Sequence, residues 1–219
     1  MTPIRIIHEE KHFVVCIKPH GILSEASDSK ALGMVDLLSE QLNCDIYPVH
    51  RLDREACGVM VYAKNKVGAA KLSVLMQTDG FDKEYIVLVH GKPECDEGVF
   101  EDYLFKDSKK NKSFVVKKER KGVKFASLEY KTLETKTVDD KTLSLVSVKL
   151  HTGRTHQIRV QFSSRKMPVA GDSRYGSCMS GNMQLFSCRI GFVNPFTSEY
   201  VSFEDKDLFR WEELSDEAV

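Results

Sequence analysis

The sequence predicts an α+β fold, on three observations. Short apolar runs of β character, broken by Gly, Pro or charged turns, fill most of the chain. Two stretches, 31–42 and 66–77, carry apolar residues at helical spacing, and a third such stretch begins near 155. No repeat and no linker interrupts the 219 residues, so a single domain over 1–219 is expected. At this length folding removes roughly 70% of the unfolded chain's surface, enough for a core without covalent staples.

The first two strands are Ile4–Ile7 and Phe13–Ile17, with Glu9-Glu10-Lys11 as the charged turn of a hairpin. Lys18-Pro19-His20-Gly21 then ends the second strand. Ala31–Leu42 places 31, 34, 35, 38 and 42 on one helical face. Val59–Ala63 is an unbroken apolar run and reads as a buried strand. Lys66–Gln77 reads as a helix with Val67, Ala70, Val74 and Leu75 inward and Gly80 as its stop. Phe81–Gly91 is a strand. Val99–Phe105, Ser113–Val116 and Val123–Leu133 are three more, joined by lysine-rich turns. Phe125, Leu128, Tyr130 and Leu133 do not alternate cleanly, which predicts a bulge or a register change near 127. Thr142–Leu150 is a strand broken by Thr152-Gly153. Thr155 is positioned to cap the helix that follows. Met183–Phe192 and Tyr200–Phe203 form a closing hairpin over Asn194-Pro195. An acidic tail, about 204–219, ends the chain, with Phe209 and Trp211 able to dock.

Composition excludes several classes of function. No apolar stretch approaches the ~18 residues of a membrane span. The N-terminus lacks the pattern of a signal peptide, so a cytoplasmic protein is expected. Six scattered cysteines show no Cys-x-x-Cys pair or zinc-finger spacing, so no metal site is expected. Net charge is zero but unevenly spread. Residues 106–124 hold nine Lys or Arg against two acids, 149–174 six against one, and 204–219 seven acids against two bases. A basic groove on an overall neutral protein suits a polyanion. Lys109, Lys110 and Lys112 are the candidate phosphate contacts, which carry no sequence information by themselves.

Chemistry concentrates at His50-Arg51-Leu52-Asp53-Arg54. Asp53 lies on a loop leading into the Val59 strand, with an arginine on either side. Nearby cations favour an ionised carboxylate, and the strand anchors it. Arg159 shares the inward face of its helix with Thr155 and Phe162. A buried arginine needs a carboxylate partner, and Asp53 is the expected one.

His50-Arg51-Leu52-Asp53, followed by Gly58 and an apolar strand, resembles the second motif of the RluA-type pseudouridine synthases. Lys18-Pro19-x-Gly21 resembles the first, and Lys83-x-Tyr85 the family's Lys-x-Tyr element. Thr152-Gly153-Arg154-Thr155-His156-Gln157-Ile158-Arg159-Val160 with Gly171-Asp172-x-x-Tyr175-Gly176 completes the set. The resemblance spans about residues 10–205. It implies a long, mixed, mostly antiparallel sheet flanked by helices, with a central catalytic cleft. It implies isomerisation of a uridine in tRNA or rRNA, with no cofactor and no metal. Asp53 is then the nucleophile or base, Tyr85 contacts the target base, and Arg159 supports Asp53. Arg51, Arg154, His156 and Ile158 border the substrate.

The chain departs from the family at Ala56-Cys57, in place of Thr-Ser, and at Gln161, in place of His. The first motif begins within twenty residues of Met1, which leaves no room for the S4-type RNA-binding module of larger members. Target selection is therefore expected from the catalytic domain, acting as a monomer. Two other classes are weaker. A non-catalytic RNA-binding protein on this scaffold would be expected to lack Asp53, Tyr85 or Arg159. A hydrolase would need a nucleophile elbow or a second placed carboxylate.

Overall fold

A computed structural model describes residues 3–26, 32–78, 80–138, 140–205 and 207. Phe209, Trp211 and most of the expected acidic tail lie outside the described residues, as does Ala31. Eleven strands and three α-helices occur among the described residues, the α+β class expected. No helix among them is long and apolar enough to cross a membrane. Backbone packing divides the chain into two compact units. The first runs to residue 83 and resumes at 186, and the second holds residues 84–185.

The first unit is built on β4 (Cys57–Ala63), whose seven residues are all buried. The β1–β2 hairpin (Ile6–Glu9, Phe13–Lys18) forms as expected, and β2 pairs antiparallel with β4 along its length, from Phe13 opposite Ala63 to Lys18 opposite Gly58. The other edge of β4 is shared. The short β3 (Tyr47–Pro48) takes one end, and β10 (Leu185–Val193) takes the other in parallel register. β11 (Tyr200–Glu204) pairs with β10 as the predicted closing hairpin. Phe13, Val15, Val59, Val61, Leu72, Phe81, Ile190 and Phe192 fill the core, with the Phe81 and Phe192 rings stacked at 5.3 Å.

Helix α1 (Met34–Leu42) buries Met34 and Leu38 and starts at Gly33, later than the periodicity suggested. Helix α2 (Lys66–Leu75) corrects the expected face. It buries Gly68 and Leu72, and leaves Val67 and Val74 more than half exposed. The cause is its cap. The Asn65 side chain accepts from Gly68 N–H at 2.9 Å and fixes the rotation of the first turn. Gly68 then faces the β1–β2 turn so closely that a Cβ there would overlap the His12 carbonyl. A small residue, not a valine, is what this contact requires.

The second unit is an antiparallel sheet in the order β5–β9–β8–β6–β7 (Phe81–His90, Lys141–Leu150, Val123–Val138, Glu97–Asp107, Lys112–Val116). Helix α3 (Gln157–Ser164) covers one face. Its Phe162 packs against Phe100 and Tyr130, at 5.1 and 6.0 Å between ring centres. The bulge or register change expected near 127 falls further along the strand. β8 stays in register with β6 from Val123 to Lys131, and the irregularity falls between Thr132 and Glu134 in its pairing with β9. Residues 126–128 are all buried for a different reason: α3 packs on the Ala126 face, and the segment 151–157 closes over Ser127. Ala126 packs with Val160 and Tyr175, while the backbone of Ser127 is taken up by residues 151, 152 and 157.

Gly58 lies at a φ of +120°, and a Cβ there would overlap the Ser187 carbonyl and press on its amide nitrogen at 2.7 Å. Both backbone strain and the β4–β10 contact oppose any side chain. Gly58→Ala is expected to lower stability by about 3 kcal/mol or more, read from the urea midpoint. A variant within about 0.5 kcal/mol of the parent, the usual effect at a neutral surface position, would contradict the close approach.

Candidate active site

Asp53 sits half-buried on the loop between β3 and β4, and the backbone on both sides of it is bolted down. Before it, Leu52 N–H donates to Ser24 Oγ at 3.0 Å, and that hydroxyl donates back to the Leu52 carbonyl at 2.9 Å. Ser24 is itself held by Tyr62, whose hydroxyl donates to the Ser24 carbonyl. After Asp53, the Asp53 carbonyl accepts from Ala56 N–H, a one-turn closure at 3.1 Å. Gly21 and Arg54 exchange two bonds, Gly21 N–H to the Arg54 carbonyl and Arg54 Nε to the Gly21 carbonyl.

The centre of this clamp is Lys18. Its side chain is fully buried, and Nζ donates to the carbonyls of Pro19, Arg54 and Ala56 at 2.8, 3.0 and 2.6 Å. Burial lowers its ammonium from 10.5 to about 8, against smaller opposing effects from Cys57, Glu55 and Asp53. The motif Lys-Pro-x-Gly therefore does more than turn the chain. It supplies a buried cation under the loop that carries Asp53. The flanking arginines are engaged as well. Arg54 is committed to Gly21, and Arg51, exposed, lies 3.5 Å from Glu25. His50 is structural. Its Nε2 accepts from Val61 N–H at 3.0 Å, and burial, with Lys83 nearby, lowers it from 6.5 to about 3, so the ring is neutral.

The remaining candidates belong to the second unit. Tyr85 is buried on β5 opposite Val148, on the sheet face that α3 covers, because Val148 lies opposite Tyr130 and Tyr130 meets Phe162. Arg159 is buried on α3, as predicted. Its carboxylate partner in this unit is Asp172. Nε and Nη2 bind the two Asp172 oxygens at 2.6 and 2.9 Å, with both side chains buried. Asp172, to which the sequence assigned no role, thus supplies a buried carboxylate for Arg159 within this unit. Asp172 also caps the 3-10 turn Ser173–Tyr175, and the Tyr175 ring lies 5.0 Å from the Arg159 guanidinium.

The segment entering α3 departs from expectation at its cap. Thr155 does not cap the helix. His156 does, in the left-handed region at φ 54°, with no side-chain cap bond. The Gln157 side chain does the ordering instead, accepting from Thr152 Oγ1 and Arg154 N–H and donating to the Ser127 carbonyl. His156 Nδ1 meets the Tyr175 hydroxyl at 3.0 Å, and Ile158 is buried beside it in sequence. Lys109 and Lys110 are exposed and Arg154 is half-buried, whereas Lys112 is committed to the Arg174 carbonyl and lies over the Tyr175 ring at 4.8 Å. Lys18, Asp172, Tyr175 and Gln157 are the organising residues that sequence reasoning left without a role. Asp172 and Tyr175 were visible only as members of the pattern 171–176. Among the described residues no group of three His, Cys, Asp or Glu side chains converges as metal ligands.

A family model described as RNA pseudouridylate synthase matches residues 12–164. An uncharacterised RNA pseudouridine synthase of Aquifex aeolicus is 34% identical over 95% of this chain and 73% of its own length. The ribosomal large subunit pseudouridine synthase D of Borreliella burgdorferi is 33% identical, over 97% and 71%. The tRNA pseudouridine synthase C of Vibrio parahaemolyticus is 27% identical, over 98% and 95%. In fold, human RNA pseudouridylate synthase domain containing 1 superposes with a TM-score of 0.81 at 22% identity, over 94% of this chain and 84% of that one.

Two outcomes follow from the buried charges. Unfolded, Lys18 keeps its proton up to about 10.5, and folded only to about 8. Between those values the unfolded chain binds more protons, so this group makes stability rise with pH there and leaves it level below 8. The unfolding free energy of wild type relative to Lys18→Met should therefore climb from pH 8 to 10, by up to about 1.4 kcal/mol per unit. A level or falling difference contradicts a buried ammonium. Separately, Asp172→Ala breaks a buried ion pair and should cost about 3–5 kcal/mol in denaturant unfolding. A cost under about 1 kcal/mol, that of an exposed pair, would show the pair is not buried.

Proposed function

Since the chain belongs to the RNA pseudouridylate synthase family, isomerases that convert uridine in RNA to pseudouridine, we propose that it acts on a uridine of transfer or ribosomal RNA with Asp53 as catalytic nucleophile or base. The observation that carries this is the clamp around Asp53. A half-exposed carboxylate stands on a backbone fixed by Lys18, Ser24 and Gly21. Such fixing pre-orients a reacting group and removes its reorganisation cost from the chemical step.

In the reaction the C1′–N1 bond breaks, the uracil turns, and C5 bonds to C1′. The C5 proton is lost and N1 ends protonated, so atoms balance and no electrons are exchanged with a second reactant. Asp53 either attacks C1′ or removes the 2′ proton. Tyr85 stacks on the extruded base, a contact worth roughly 1–3 kcal/mol, and its hydroxyl is the candidate acceptor of the C5 proton. That stacking offsets part of the few kcal/mol of unstacking the target. Arg159 supplies a cation already balanced by Asp172, so it serves the reaction without being an unpaired buried charge. Arg51, exposed and two residues from Asp53 in sequence, is the candidate contact for RNA next to the target, and the exposed Lys109 and Lys110 on the β6–β7 turn are candidate phosphate contacts. Support for transfer or ribosomal RNA comes from relatives named for each.

Tritium release from RNA labelled at uridine C5 tests this, using transfer and ribosomal fractions from cells that lack the protein. Wild type is expected to release tritium from one fraction, and Asp53→Asn to lower the rate by at least about 10³-fold, as loss of a reacting group does. Wild-type turnover in Asp53→Asn would remove Asp53 from the mechanism. Binding without release from either fraction would favour a non-catalytic RNA-binding protein.

A further inference from the structure

Beside the loop that leads into α3, the second unit has a pocket of about 150 Å³. Lys106, Lys124 and Arg154 line it, with Ser113, Gly153 and Thr155, and no acidic residue is among its walls. Strand register sets the two lysines on one face as diagonal neighbours. Lys106 lies opposite Ser113 and Lys124 opposite Leu104, so both point to the face on which Leu104 packs with Val160 of α3. Among the described residues neither lysine meets a carboxylate. Arg154 spends its Nε on the Phe125 carbonyl at 2.7 Å, a bond that fixes the guanidinium and leaves its outer nitrogens for another acceptor. The floor is rigid. Ser113 is buried, donates its hydroxyl to the Thr155 carbonyl at 2.7 Å, and donates its N–H to the Tyr175 hydroxyl at 2.8 Å. Gln157 holds Arg154 N–H from the other side.

Three cations converging without a carboxylate repel one another, and the fold has no use for them by itself. A tetrahedral dianion or monoanion removes the repulsion and accepts their donors. A water occupies roughly 30 Å³ of liquid, so the pocket holds about five, enough for one phosphate group with part of its hydration. We propose that this pocket is a subsite for a single backbone phosphodiester of the RNA, gripped jointly by Lys106, Lys124 and Arg154. The inference rests on the proposed RNA reading and extends it. The pocket shares the α3 face of the sheet with Tyr85. From β5 to β8 is two strand spacings, and from Tyr130 to Lys124 is six residues along β8, which puts the two roughly 20 Å apart. The subsite therefore holds a phosphate several nucleotides from the target and selects by where the backbone runs, not by base identity.

One shared phosphate predicts a particular salt response. Binding of the tRNA or rRNA fraction that supports tritium release would be measured from 50 to 200 mM KCl for wild type and Lys106→Gln/Lys124→Gln. Each phosphate contributes roughly 0.7–0.9 to the slope of log K against log salt. The double variant should lose about one such unit, so its affinity loss across that range is about threefold smaller than that of wild type. Lys131→Gln/Lys149→Gln, on the opposite face by register, should change the slope by less than half as much. A loss of two units means two separate phosphates and overturns the shared subsite. An unchanged slope, or an equal loss in the control pair, overturns the subsite altogether while leaving the RNA reading intact. Absence of RNA binding and tritium release in wild type would instead overturn the underlying reading, and the subsite with it. Inorganic phosphate, titrated calorimetrically into wild type, distinguishes the sources. Saturable binding lost in the double variant, with RNA binding unaffected, would assign the pocket to a free phosphate and overturn the backbone assignment.

Discussion

A single ammonium under a loop sets much of this structure. Lys18 ends β2 with its side chain fully buried, and its three donors reach carbonyls at 19, 54 and 56. Nothing about a buried lysine is favourable in isolation, and the lowering of its ammonium to about 8 records the cost. The compensation is geometric. Three carbonyls from two segments far apart in sequence are drawn to one point, and the backbone of residues 53–56 has no freedom to move away from it. On the other side, Ser24 and Gly21 complete the frame. The buried run of β4 gives the frame its foundation, since Gly58 lets β10 approach it closely at the position paired with Lys18.

The second unit solves a related problem by a different route. Arg159 and Asp172 are both charged, both buried and joined by two short bonds. A pair of this kind adds little net stability over a well-packed apolar pair, but removing either partner is costly. Its value lies in geometry. It ties α3 to the turn at 172–175 and aligns Tyr175, which in turn holds Ser113 and His156. The basic pocket at Lys106, Lys124 and Arg154 inherits its rigid floor from that chain of contacts.

Much of the fold was legible because its signals are local. The apolar run 59–63, the hairpins at 9–11 and 194–195 and the strand 142–150 appear where periodicity and turn residues place them. The errors share a cause. The inward face of α2 depends on the Asn65 cap and on how near Gly68 comes to the chain at His12, neither of which hydrophobic periodicity registers. The broken alternation around 127 reflects the local burial of Ser127 under the segment 151–157 beside a regular β6–β8 ladder, a tertiary fact that looks like a bulge in one dimension. At the site, buried Arg159 was readable from helix geometry, but its ion pair with Asp172 was not. Asp172 lies thirteen residues away behind a loop, and only the fold brings it back. Lys18 was visible as a motif residue, and its role was not, because a lysine is ordinarily a surface residue.

The carbonyl cage also decides how the Asp53 loop moves. Functional loops usually belong to the least stable parts of a protein and open by local unfolding at little cost. This loop cannot, since releasing residues 54–56 strips a buried cation of its acceptors, and freeing the cation disrupts the pairing of β2 with β4. Its opening free energy is therefore tied to that of the β2–β4 core, and its amides should exchange with solvent on the time scale of that core. The segment that carries the Asp53 carboxylate therefore opens with the β2–β4 core and not independently of it.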